Sequence, residues 1–186
     1  GKHEWDAVVK DRVQKRTGCP YCSGRRVCED NNLAVRYPEI AKQWHPTKNK
    51  PLTPYDVTPS YGEKVWWKCD EGPDHEWDAT PGNRTGRGTG CSFCAGKKAS
   101  VTNSLASLFP EIAAQWHPTK NGDLTPDQVV AGSEKKVWWI CPEGPDHEWD
   151  AALNSRTGEG TGCPFCRGLK VSATNSLASL HPELAA

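Results

Sequence analysis

The sequence predicts small α+β modules repeated in tandem, each a β-hairpin followed by a helical connector and each too small to stand on apolar burial alone. Three observations predict this. A 72-residue period runs through the chain, every period carries the same order of strand, turn and helix signals, and the composition is too polar for one large core. Of 186 residues only 35% are hydrophobic, against 15 prolines and 17 glycines, yet there are nine tryptophans and nine cysteines. Small domains of this composition need disulfides or metals.

The period is read directly from matched residues. Cys19, Cys91 and Cys163 recur at 72, as do Cys22, Cys94 and Cys166, and His3, His75 and His147. Cys69 and Cys141 match, and so do Trp5, Trp77 and Trp149; Arg12, Arg84 and Arg156; and Asn31, Asn103 and Asn175. An ungapped comparison of residues 69–114 with 141–186 has 33 identities in 46 positions. The unit is long for a solenoid repeat and reads as one small module plus a connector. The boundaries that follow are a partial module over 1–27, a connector over 28–64, a module over 65–99, a connector over 100–136, a module over 137–171 and a partial connector over 172–186.

Within one unit the elements follow in order. Val65-Trp66-Trp67-Lys68 is β-branched and aromatic and predicts a strand. Residues 70–74 (Asp-Glu-Gly-Pro-Asp) are a turn by composition, and Glu76-Trp77-Asp78-Ala79 alternates like a returning strand. The glycine-rich stretch 83–90 predicts a loop, and Cys91-Ser92-Phe93-Cys94-Ala95-Gly96 a tight knuckle whose glycine turns with positive φ. In the connector, Ser104 caps a helix over Leu105–Leu108, Pro110 opens a second through Trp116, and Thr125-Pro126 starts a short third. Leu105, Leu108, Ile112 and Trp116 recur at helical spacing. The next strand starts at Val137.

Four candidate ligands per unit arrive as Cys, His, then Cys-x-x-Cys. They are Cys69, His75, Cys91 and Cys94 in the second unit, and Cys141, His147, Cys163 and Cys166 in the third. Paired cysteines at i and i+3 suit two bonds to one tetrahedral ion, and their partners on a separate hairpin close the site. Thiolate and imidazole donors favour Zn2+ over calcium or magnesium, with iron the remaining alternative among metals. A disulfide framework predicts an even cysteine count and gives the histidine no reason to share the period. The first unit offers His3, Cys19 and Cys22; its fourth position falls before Gly1. Cys28 is the odd cysteine, aligned with Ser100 and Ser172, and reads as a free thiol rather than a substitute ligand. His45 and His117 read as histidines at a helix C-terminus facing its dipole rather than as a second metal site. Trp67 and Trp77 read as core over the metal, which sends Trp66 and Trp138 toward the connector helices. Base stacking is the alternative role for these rings.

The strings Val-Trp-Trp-x-Cys, His-Glu-Trp-Asp-Ala and Arg-Thr-x-x-x-Thr-Gly-Cys-x-x-Cys resemble those of a known family. So does the connector, Asn-Ser-Leu-Ala-Ser-Leu-x-Pro-Glu followed by Gln-Trp-His-Pro-Thr-Lys-Asn. The resemblance is to the probable zinc-ribbon (treble-clef-like) family of unknown function, found as tandem copies in bacterial, plant and large-virus proteins. It covers nearly the whole chain and implies zinc at the positions named. Some relatives are joined to endonuclease-like domains, which implies DNA handling, although no nuclease motif is visible here.

Function is less constrained. Arg12, Arg84 and Arg156 lie before each Cys-x-x-Cys, and Arg26, Lys98 and Lys170 lie after it, with Arg25 and Lys97 beside two of them. Such residues follow phosphates, so nucleic acid, DNA or RNA, is the first expected partner. The charge is unevenly spread: residues 1–68 carry 13 basic and 8 acidic side chains, residues 69–140 carry 7 and 9, and residues 141–186 carry 3 and 6. That pattern fits a local basic patch, not a uniformly basic surface. The alternative is an architectural, protein-interaction module in a larger assembly. Closed metal sites argue against an enzyme. Reduced thiols imply an intracellular, reducing compartment. No apolar run approaches the ~20 residues of a membrane span, and no signal-like segment opens the chain. With no methionine and glycine at position 1, the chain reads as a fragment of something longer.

Overall fold

The structure, a computed structural model, describes residues 3–184; the outer ends of the 1–27 module and the 172–186 connector lie outside the described residues. The chain divides into two compact units, 1–92 and 93–186.

In the first unit a short helix, α1 (Val9–Val13), precedes the first knuckle. Two single-turn helices follow, α2 (Leu33–Arg36) and α3 (Pro38–Ala41). Strands β1 (Val65–Lys68) and β2 (Glu76–Ala79) then pair antiparallel, with Trp67 opposite Trp77, and α4 (Pro81–Gly86) closes the unit. The second unit repeats the plan: α5 (Leu105–Leu108), α6 (Pro110–Ala113), a 3-10 turn at Pro126–Gln128, β3 (Lys136–Ile140), β4 (Glu148–Ala152), α7 (Leu153–Thr157) and α8 (Leu177–Leu180). In β3–β4, Trp139 stands opposite Trp149.

The connector is part of the module that follows it. Trp44 bridges Trp67, and Trp116 bridges Trp139, as a one-residue third strand on the hairpin edge. The backbone N–H of His117 donates to the Trp138 carbonyl at 3.0 Å, and that of Ile140 to the Gln115 carbonyl at 2.8 Å. The rings meet edge to face at 5.5 Å (Trp44–Trp67) and 5.7 Å (Trp116–Trp139). Such a contact adds about 0.5–1.5 kcal/mol beyond burial. Leu105, Val129, Val137, Trp139, Cys141, Trp149, Leu153 and Cys163 form one buried cluster with Phe109, Ile112 and Trp116 packed on it. The boundaries at 64/65 and 136/137 therefore cut through shared cores. The hairpin alone is two short strands, marginal in water without a third layer.

Three local expectations change. The first half of the stretch 83–90 read as a loop is helical: Thr80 accepts the Asn83 N–H, Pro81 sits in the first turn, and α4 runs through Gly86, with 87–90 left as loop. The connector does not present one helical stripe. The chain breaks at Phe109, between α5 and α6, so Phe109 packs inward while Leu108 stays exposed. Alternation along β1 and β3 buries Trp67 and Trp139 completely, so these rings, not those of Trp66 and Trp138, pack against Trp44 and Trp116 of the connectors. Trp66 and Trp138 face outward, under Lys48 at 4.2 Å and Lys120 at 4.5 Å.

His45 and His117 are not dipole caps. Each is buried, and its Nδ1 accepts two backbone N–H bonds, Thr47 and Lys48 in one repeat, Thr119 and Lys120 in the other. Each Nε2 faces a hairpin carboxylate, Glu76 at 3.2 Å or Glu148 at 3.1 Å. The hydrogen bond from Lys48, with His45 beside it, holds the Glu76 carboxyl down at about 2 against partial desolvation. Lys120 and His117 lower Glu148 in the same way.

Candidate metal centre

Each hairpin turn is shaped around its histidine. A Cβ on Gly72 would come within 2.6 Å of His75 Nε2, and one on Gly144 within 2.7 Å of His147, so only glycine fits. The Cys69 N–H donates to the His75 carbonyl at 3.0 Å, which pinches the hairpin and sets both side chains on one side. The knuckles turn at Gly24, Gly96 and Gly168, all with positive φ as expected. An asparagine locks each knuckle: Asn31 Nδ2 donates to the carbonyls of Tyr21 and Arg26, Asn103 to Phe93 and Lys98, and Asn175 to Phe165 and Lys170. This is the reason asparagine shares the 72-residue period.

The ligand atoms converge in three groups: Cys69, His75, Cys91 and Cys94; Cys141, His147, Cys163 and Cys166; and His3, Cys19 and Cys22. Within each group they lie within 4.8 Å of one another. In the third repeat, Cys163 Sγ is 3.7 Å and Cys166 Sγ 3.5 Å from His147 Nδ1, and Cys141 Sγ is 3.7 Å from Cys166 Sγ. Bonds of about 2.3 Å to sulfur and 2.0–2.1 Å to nitrogen at a tetrahedral angle give edges of roughly 3.5–3.8 Å. The residues therefore fit zinc. All nine cysteines are unbridged, and 3.7 Å is far beyond the ~2.05 Å of a disulfide.

The coordination is supported from behind. His147 turns Nδ1 toward the thiols, while Nε2 bonds Ser172 Oγ at 3.0 Å and Thr174 Oγ1 at 2.8 Å. Such outer partners fix the ring and its tautomer. The middle aromatic of the knuckle lies against the imidazole: Phe165 stacks on His147 at 5.0 Å, and Tyr21 meets His3 at 5.0 Å with the rings tilted by 37°. Cys28 now has a place: its Sγ lies 3.5 Å from His3 Nε2, in the position of the Ser172 hydroxyl, while Cys19 and Cys22 take the Nδ1 side at 3.4 and 3.5 Å. Cys28 is thus on the wrong edge of the imidazole to complete that group.

Partial desolvation, with the neighbouring Cys141 and Cys163 sulfurs, pushes the Cys166 thiol up to about 12. Zinc takes the thiolate form, so metal entry must expel the Cys166 proton. At pH 7 zinc binding at this group should therefore be accompanied by proton release. Calorimetric titration in buffers of different ionisation heat measures it. Release near zero would mean that Cys166 is not a ligand to the metal.

The basic residues separate into two sets. Arg84 and Arg156 are buried, at 6% and 5% exposure, because α4 and α7 carry them into the core. They are removed from the expected nucleic-acid surface: a guanidinium enclosed by two tryptophans does not reach a phosphate. Arg12, Arg25, Arg26, Lys97, Lys98 and Lys170 are exposed. Arg12 is partly engaged, donating to the Thr17 carbonyl and lying 5.5 Å from the Trp5 ring centre.

No curated protein matches the chain. A family model described as a probable treble clef zinc finger domain matches it three times, over residues 1–25, 40–97 and 112–169. The second and third matches each combine part of a connector with the hairpin and knuckle after it, as the shared cores do. With its knuckles, hairpins and short helices around repeated Cys/His zinc sites, the chain belongs to the probable treble clef zinc finger family.

Proposed function

We propose that this zinc-binding array binds nucleic acid through the phosphate backbone, at the groove beside each knuckle. One observation carries the reading. In the second unit the knuckle loop 95–99 and the turn 127–135 enclose an open groove of about 860 Å³ lined by Lys97, Lys98 and Lys135. All three lysines are exposed. The sequence does not single out Lys135, since only the fold brings it beside the knuckle. Arg25 and Arg26 occupy the corresponding loop of the first unit and line a different, smaller groove of about 320 Å³, which they share with Asp6 and Asp11. By contrast, Lys48, Lys64 and Lys68 are ion-paired with Glu76 or Asp78 of the hairpin and are less available to phosphate. The reading assigns binding and no catalysis, because four protein ligands fill a tetrahedral zinc.

A second reading, protein contact, is favoured at the third knuckle. There Leu169 replaces the lysine at position 97, and Leu169 and Val171 are 69% and 78% exposed.

The test replaces Lys97, Lys98 and Lys135 with alanine and titrates single- and double-stranded DNA and RNA across a salt series. Affinity should fall, and the salt slope should become shallower by about 0.7–0.9 for each phosphate the variant no longer neutralises. Lys64→Ala, which breaks only the Asp78 pair, should change neither. Unchanged affinity and slope in the triple variant, with zinc retained, would transfer the function to protein contact.

A further inference from the structure

We infer that Arg156, and Arg84 in the preceding repeat, are the buried counter-cations of the zinc centres. Three thiolates and a neutral imidazole leave a divalent ion with a net charge of −1. Burying that charge is unfavourable unless an opposite charge lies close in the same low-dielectric interior.

The second and third repeats each bury one such cation. Arg156 Cζ lies 4.6 Å from the Trp139 ring centre and 5.1 Å from that of Trp149; for Arg84 the distances are 4.6 Å to Trp67 and 5.2 Å to Trp77. Those tryptophans stand two residues from the ligands, Trp139 before Cys141 and Trp149 after His147. The clamp is therefore built on the strands that hold the metal. One nitrogen is satisfied: Arg156 Nη2 donates to Gln115 Oε1 at 2.7 Å, and Arg84 Nη2 to Gln43 Oε1 at 2.6 Å. Nε and Nη1 of both arginines are buried with no hydrogen-bond partner. A cation with two idle donors in a closed core is costly unless something there needs its charge. The charges acting on Arg156 are the Cys163 and Cys141 sulfurs, and those on Arg84 are the Cys91 and Cys69 sulfurs; both oppose the desolvation that lowers each guanidinium. Recurrence of the same clamp, amide and idle nitrogens 72 residues apart makes a chance arrangement a poor account of it.

Charge and packing are separable. Gln115→Glu keeps the shape and the hydrogen bond to Nη2 but pairs the guanidinium with a carboxylate. If Arg156 serves the metal, the full-length variant should lose about 10-fold or more in zinc affinity at one site, read by chelator competition. Its sulfur-to-cobalt charge-transfer band, with Co2+ in place of zinc, should move to lower energy as the thiolates regain electron density. If Arg156 only packs, the glutamate strengthens its hydrogen bond. Zinc affinity then holds or rises and the band stays, which overturns the inference. A second pair guards against misfolding. Arg156→Lys keeps the charge and Arg156→Met keeps the apolar stem, so lysine should retain zinc better than methionine. Methionine equal to lysine, or better, overturns it as well.

Discussion

Removing zinc from the chain should unfold both units. A strong chelator is expected to abolish near-ultraviolet circular dichroism and shift tryptophan emission to the red, as Trp67 and Trp139, fully buried in the structure, enter water. Added zinc should restore both signals. The size of the effect follows from what the cores lack. Each hairpin is two strands of four or five residues, and its helices are single turns or little more. Helices this short are not stable alone, and neither is an isolated hairpin. Structural zinc supplies apparent binding energies of about 10–16 kcal/mol in small fingers, far above what one edge-to-face tryptophan contact provides. The ion also joins distant segments: Cys141 and His147 on the hairpin meet Cys163 and Cys166 beyond α7. Elemental analysis should find two to three zincs per chain, matching two four-residue groups and one of three. A chelated chain with unchanged dichroism and emission would show that the tryptophan cores suffice and that the metal is accessory.

The ligand sets, strands and knuckles were legible in the sequence because each depends on a few neighbouring residues with fixed chemistry. Cys-x-x-Cys, the Gly72 turn and the alternation of β1 are local facts. What remained hidden depends on partners far along the chain. Arg84 and Lys97 look alike in the sequence, yet one ends between two tryptophans and the other beside a groove. The signal that separates them was present: Thr80-Pro81 is a helix start, and a helix over 81–86 turns Arg84 inward. The glycines that follow hid it. Leu153, buried at the position equivalent to Pro81, marks the same inward turn in the third repeat more plainly. Cys28 could not be placed from spacing, because its aligned Ser172 acts through the far nitrogen of His147, a relation only the folded ring reveals. Asn31, Asn103 and Asn175 were visible as a period but not as clamps, since their acceptors are backbone carbonyls that carry no residue identity.

Trp139→Ala should cost about 3–5 kcal/mol of stability in the zinc-saturated chain, the range for deleting a buried aromatic. The neighbouring Trp138→Ala should cost less, since that side chain is 37% exposed and its loss leaves no closed cavity. The contrast is set by one step along β3. Trp139 is fully buried, its indole N–H donates to the Ala151 carbonyl at 3.1 Å, and it lies under Arg156 and against Trp116. Trp138 is 37% exposed, with the Lys120 ammonium 4.5 Å from its ring centre. Truncating Trp139 leaves a cavity, an uncovered guanidinium and a connector with nothing to pack on. Urea unfolding of the two variants, each saturated with zinc, measures the difference. A double-mutant cycle then separates a shared core from a tethered linker. If connector and hairpin fold as one body, Trp116→Ala and Trp139→Ala should be non-additive by about 0.5–1.5 kcal/mol, the coupling of an edge-to-face pair. A connector that merely spaced the zinc modules would give additive losses and a small effect for Trp116→Ala alone. That result would restore the boundary at 136/137 and make the bridge between Trp116 and Trp139 a contact without energetic weight.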